Sequence, residues 1–141
     1  MESKEILKQF IQQYDGLFGK FSEDDGVAVS PDGENESTVS FEVCDDIGKA
    51  YAENVDFIES KRRKLAPMGK LTDFEIPYGF DRCLGCILNY DLMGKKGGFI
   101  YFVGCKENVL AFARAYHTSA RETIPDDARD ELVKTIYECV S

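Results

Sequence analysis

The chain has 141 residues, 43% of them hydrophobic and 12% aromatic, and its 17 Lys and Arg against 26 Asp and Glu leave a net charge of −9. That length and apolar content suit a single domain, residues 1–141, whose core needs neither disulfides nor metal. The negative balance repels phosphate backbones and acidic lipid surfaces at long range, which disfavours a nucleic-acid or membrane partner.

In chain order, MESKEILKQF has no uninterrupted apolar stretch and no 18-residue apolar run occurs anywhere, so neither a signal peptide nor a membrane span is expected, and the default location is cytoplasmic. Ile6, Leu7, Phe10, Ile11, Tyr14, Leu17 and Phe18 recur at helical spacing. They predict an amphipathic first helix, with Ser3 as N-cap and Gly16 or Gly19 at its end. GVAVS (26–30) and STVSFEV (37–43) alternate around PDGENE (31–36), a turn sequence, which predicts a hairpin with Val39, Phe41 and Val43 on one face.

Within 45–66 the apolar spacing suits a helix, but Gly48 and the small and polar residues around it weaken the start. The helix is therefore expected over about 54–65, with Asp56 and Glu59 as a capping box and Pro67 as its stop. KLTDFEI (70–76), FDRCLGCILNYDL (80–92) and GFIYFVGC (98–105) read as strands, with GKKGG (94–98) as the loop between the last two. NVLAFARAYHT (108–118) fits a helix by its alanines or a further strand by its place in the chain, and the strand is preferred. Pro125, Asp126 and Asp127 open a closing helix, with acids at the positive end of its dipole and Ala128, Leu132, Val133, Ile136, Cys139 and Val140 on one face. The expected order is α-β-β-α-β-β-β-β-α, an α+β fold with helices packed on an antiparallel sheet.

Five cysteines, Cys44, Cys83, Cys86, Cys105 and Cys139, are an odd, scattered set, which favours reduced thiols in an intracellular compartment over a secreted disulfide framework. Cys83 and Cys86 form a C-x-x-C. A redox pair needs its first thiol at a helix N-terminus, and zinc needs at least a third ligand. On a strand, residues an odd number apart point to opposite faces. Cys86 would share its face with Phe80, Leu84, Leu88, Tyr90 and Leu92, so packing cysteines are expected rather than a metal or redox site, unless Gly85 marks a bulge.

Other motifs weaken on inspection. MGKLT (68–72) lacks the Gly and the Ser or Thr of a phosphate loop, and GKKGG lies between strands. KRRK (61–64) is expected as the solvated face of a helix, and Asp126, Asp127, Asp130 and Glu131 serve the last helix. His117 is the single histidine, so any His-dependent catalysis has to run through it.

The mid-chain helix (54–65), the strand run KLTDFEIPYGFDRCLGCILNYDL, the hairpin GKKGGFIYFVGC, a further strand and a closing helix ending IYECVS resemble the PsbP/Mog-type fold, which includes the DcrB-like bacterial proteins, over roughly residues 37–141. That resemblance implies a binding or adaptor role. The size, charge and element order are also similar to type III secretion chaperones, which implies a dimer that holds another chain. The leading expectation is a non-enzymatic cytosolic protein-binding module, an adaptor or chaperone-like domain with a protein partner or a homodimer and no cofactor. The apolar stripe of the first helix would either cap the sheet or pair with a second subunit. The alternative is a small-molecule-binding or enzymatic domain with a pocket between sheet and helices, for which Tyr78, Arg82, Tyr90, Tyr101, Arg114, Tyr116 and His117 are the candidate binding residues.

Overall fold

The computed structural model describes residues 2–29, 35–119 and 122–141. Three helices, α1 (Ser3–Gln13), α2 (Ile47–Leu65) and α3 (Asp126–Val140), accompany six strands, β1 (Val27–Val29), β2 (Glu36–Val43), β3 (Thr72–Asp73), β4 (Arg82–Leu92), β5 (Lys95–Lys106) and β6 (Val109–Ser119). The strands form one sheet in the order β1-β2-β6-β5-β4-β3, with every neighbouring pair antiparallel. The expected α+β class and element order are both present.

The central strands are apolar on both faces, so both faces carry helices. Ile100 and Phe102 of β5 join Ala111, Ala113 and Ala115 of β6 in a core shared with α1 and α3. Tyr101, Val103 and Cys105 of β5 join Leu88 and Cys86 of β4 under Ile58 of α2 on the other side. This settles the ambiguity of 108–118 in favour of a strand. The alanines fall at every second position beneath the two helices, where a small residue lets a helix come close, and the larger Leu110, Phe112 and Arg114 alternate with them.

Helix α1 caps the sheet: Ile6 and Phe10 are buried, and the Phe10 ring lies 5.2 Å from Tyr14, 5.5 Å from Phe21 and 5.9 Å from Phe41. Its ends differ from expectation. Glu2 holds the N-cap position without a side-chain bond, Ser3 is already helical, and the helix stops at Gln13 because Tyr14 turns to extended geometry. The apolar rhythm runs on to Phe18 because the following loop folds back onto the same core, where the Tyr14 hydroxyl accepts the Phe18 N–H at 3.2 Å. Burial pushes that hydroxyl's pKa up to about 12.

Helix α2 starts seven residues earlier than the expected 54, because Asp46 caps it by accepting the Lys49 N–H at 3.1 Å. Glu59 does not close a capping box with Asp56; it pairs with Arg62. The GKKGG loop is also corrected. The turn is Met93–Gly94, with φ of 54° and 78°, a two-residue hairpin connection of the kind that matches strand twist, and Gly97 and Gly98 belong to β5. β3 is reduced to two residues, Val43 is exposed at the end of β2, and the expected 31–36 turn lies mostly outside the described residues.

Candidate functional site

The two faces of the sheet are covered unequally. A six-stranded sheet with strands about 4.8 Å apart is wide enough for two helices of about 10 Å diameter. On one face α1 and α3 lie side by side and bury Ala28, Val39 and Phe41 of the β1–β2 edge. The opposite face has α2 alone, packed on β5 and β6. There β2 alternates visibly: Ser37, Val39 and Phe41 are buried toward α1, whereas Thr38 is half-buried and Ser40 and Glu42 are exposed. Among the described residues nothing covers the half of the sheet beyond α2, which presents a polar and aromatic surface.

Its inner wall is a run of rings. Phe57 of α2, 39% exposed, packs edge-on against Phe112 at 5.7 Å and Tyr101 at 6.4 Å. The Tyr101 hydroxyl meets that of Tyr116 at 3.2 Å, Phe99 sits 5.0 Å from Tyr116 and 5.6 Å from Tyr90, and Tyr90 reaches the Thr118 hydroxyl at 3.1 Å. The Arg114 guanidinium lies 5.5 Å from the Tyr116 ring, and its Nε is buried without a hydrogen-bond acceptor among the described residues. Burial, with Tyr116 next, raises the pKa of the Tyr101 hydroxyl, which keeps it neutral.

Of the seven residues singled out in the sequence, Tyr90, Arg114 and Tyr116 therefore come together half-buried on one face, around Tyr101, which is itself buried in the core. The other three do not. Arg82 is on the same face but at its far end, near Gly48 at the start of α2. Tyr78 precedes β4 and stacks on Tyr137 of α3 at 5.6 Å. His117 points to the α1 face, three residues from Arg114 on one strand, so the two do not converge. Its Nε2 is buried without a hydrogen-bond partner among the described residues, 3.9 Å from Glu122 Oε1, beside a cleft of about 170 Å³ that Ser37 and Phe18 also line.

The C-x-x-C pair is split across the sheet. Cys83 packs on the α1–α3 side and Cys86 on the α2 side. The β4–β5 register runs unbroken from Cys83↔Gly104 to Cys86↔Tyr101, so Gly85 marks no bulge; the Phe74 ring occupies the space a side chain there would need. Phe80, expected beside Cys86, lies before β4 begins and packs instead on Phe102 and Tyr137. All five thiols are free and burial raises each pKa, to about 12 at Cys86 and about 11 at Cys139. Raised values leave little thiolate at neutral pH. With Ellman's reagent at pH 8 the native protein is expected to release far less than one equivalent in minutes and all five in guanidinium; two fast, paired thiols in the native state would contradict this packing.

A cluster the sequence reading missed lies at the other end of α2. Arg62 donates to Asp73 Oδ1 at 2.7 Å, to Cys86 Sγ at 3.1 Å, to Glu59 Oε2 at 3.1 Å and to the Leu71 carbonyl, while the Cys86 thiol donates to Asp73 at 3.2 Å. Arg62 was assigned with KRRK to the solvated face. Arg63 and Lys64 are exposed, but Arg62 follows Ile58 by one turn and so shares its buried stripe, which is the signal that could have found it.

Among the described residues no three of His, Cys, Asp and Glu are placed to hold a metal ion, and no helix is long and apolar enough to cross a membrane. No protein-family model, curated protein or solved structure matches the chain.

Proposed function

We propose that the chain is a non-enzymatic, cytoplasmic protein-binding domain, adaptor-like or chaperone-like, whose partner seats on the open half of the sheet. The observation that carries this reading is the unequal covering of the two faces: beyond α2, the Phe57, Phe112, Arg114 and Tyr116 side chains line a surface wide enough for another element. The raised thiol pKa values support it, since they weaken the case for a nucleophilic or redox cysteine. The resemblance to partner-binding folds points the same way.

The test is a photo-crosslinking residue placed at exposed Ser40 in the host cell, with the same residue at exposed Lys134 of α3 as control. A discrete polypeptide captured from position 40 and not from position 134 is the expected result. Equal capture, or none from position 40, would count against this face.

A second reading, a small-molecule site, is favoured by one observation: the unpartnered Nε2 of His117 beside its cleft. A bound small mass in native mass spectrometry that disappears in His117→Ala would bring it forward.

A further inference from the structure

Taking the open half-face as the protein-binding surface, we propose that its occupant is an amphipathic helix of another protein, lying antiparallel to α2, with carboxylates in its N-terminal turns and cations in its C-terminal turns.

Charge is sorted along this groove. Its middle row is uncharged: Ser40 pairs with Phe112, and Phe57 lies against the Phe112 ring. One step along the strands in one direction comes the pair Thr38 and Arg114, and one helical turn after Phe57 comes Lys61, whose Nζ is 5.3 Å from the Phe57 ring centre. One step in the other direction comes Glu42 opposite Leu110, and one turn before Phe57 comes Glu53, which lines a common pocket with Glu42, Asp45 and Asp46 and with one cation, Lys49, so that this end is net negative. The net charge is therefore positive at one end and negative at the other, with rings between them.

Among the described residues the cationic end holds no ion pair of its own. Like most of the described Lys and Arg side chains, Lys61 and Arg114 have no carboxylate within ion-pair distance, and each lies instead against an aromatic ring, Phe57 and Tyr116. Held against rings at one end of the groove, these two cations present their charge to carboxylates from outside.

An α-helix supplies the matching polarity from its own physics, because its N-terminus favours Asp and Glu and its C-terminus favours Lys and Arg. Laid antiparallel to α2, such a helix sets its early acids at Lys61 and Arg114 and its late cations at Glu42 and Glu53, with its apolar stripe over Phe57 and Phe112. A parallel helix reverses both matches. A second copy of this chain also brings the wrong direction. A two-fold axis along the groove carries the second α2 into the open half running parallel to the first, since rotation about an axis along a helix leaves its direction unchanged. Lys61 of one copy then approaches Arg114 of the other.

The test uses the full chain and two stapled peptides of about five helical turns, each with Leu and Ala on one face. One carries Glu in the first two turns and Lys in the last two; the other has those charges exchanged. Binding is followed by fluorescence anisotropy and by amide shifts in nitrogen-15 NMR spectra. The Glu-first peptide is expected to bind with shifts confined to β2, β6 and α2, and about tenfold more tightly than its exchanged partner, a gap that narrows as salt is raised. Lys61→Glu should weaken the Glu-first peptide about fivefold and strengthen the exchanged one, and Glu53→Lys should do likewise at the other end. Equal affinities, shifts on other elements, or no binding of either peptide would overturn the proposal. So would a dimer in sedimentation velocity that Ser40→Arg abolishes, which would give the face to a second copy. If the peptides fail while position 40 still crosslinks a partner, the helix assignment falls and the protein-binding reading stands; if both fail, both fall.

Discussion

Phe10→Ala is expected to lower the unfolding free energy by about 3–5 kcal/mol, the range for truncating a fully buried Phe. Phe10 has no exposed surface, and its ring is the hub of an aromatic group in which Tyr14 and Phe21 come from the segment after α1 and Phe41 from β2. One of the lost contacts ties α1 to β2 and two tie it to the segment that follows it, so relaxation of one neighbour cannot close the cavity without moving the others. Urea unfolding followed by circular dichroism checks the figure. A loss below about 1 kcal/mol would mean that α1 is not the cap of the sheet and would return its apolar stripe to the pool of partner surfaces.

Arg62→Ala should cost about 2–4 kcal/mol, because it leaves the Leu71 carbonyl and the Cys86 thiol in a desolvated place without their donor. Asp73 reports on the same cluster through pH. The hydrogen bond from Arg62, and then that from Cys86, holds the Asp73 carboxyl below its ordinary range. A carboxyl with a depressed folded-state pKa adds stability that is fully present above its unfolded value of about 3.9 and is lost as pH falls through the folded value. The stability gap between the native protein and Asp73→Asn should therefore be constant near neutrality and close below about pH 4. Because the Asp73 side chain is 64% exposed, solvent screens the pair and the gap itself should be small, about 1 kcal/mol or less. Melting curves from acid to neutral pH decide it: a gap that persists unchanged at low pH would place the role of Asp73 in its shape and not its charge.

Much of the fold was legible because it rests on local rules. The 3.6-residue rhythm of Ile6, Phe10 and their neighbours marked α1, Pro125 with its two aspartates marked α3, and the two-residue alternation in STVSFEV marked β2. The misread boundaries share one cause. Asp46 caps α2 across Gly48, and Met93–Gly94 forms the turn ahead of a glycine pair that looked like a loop, so a weak local propensity was overridden by a specific backbone bond or by packing. The candidate site was half legible. Tyr90, Tyr101, Arg114 and Tyr116 meet because alternation on three adjacent strands points them one way, whereas Tyr78 and His117 belong to the opposite side.

Chain chemistry alone determined the class of the molecule: an acidic α+β domain, its elements in their order, and the separation of Cys83 from Cys86 that strand alternation demands. Only the tertiary structure decided that α1 and α3 share one face while α2 stands alone on the other, that Arg62 turns inward to Asp73 and Cys86, and that the cations Lys61 and Arg114 line up at one end of an uncovered groove. The division follows from range. Periodicity, caps and turns act over a few neighbouring residues, while the covering of a sheet depends on contacts between segments far apart in the chain, whose free energies no short window of sequence contains.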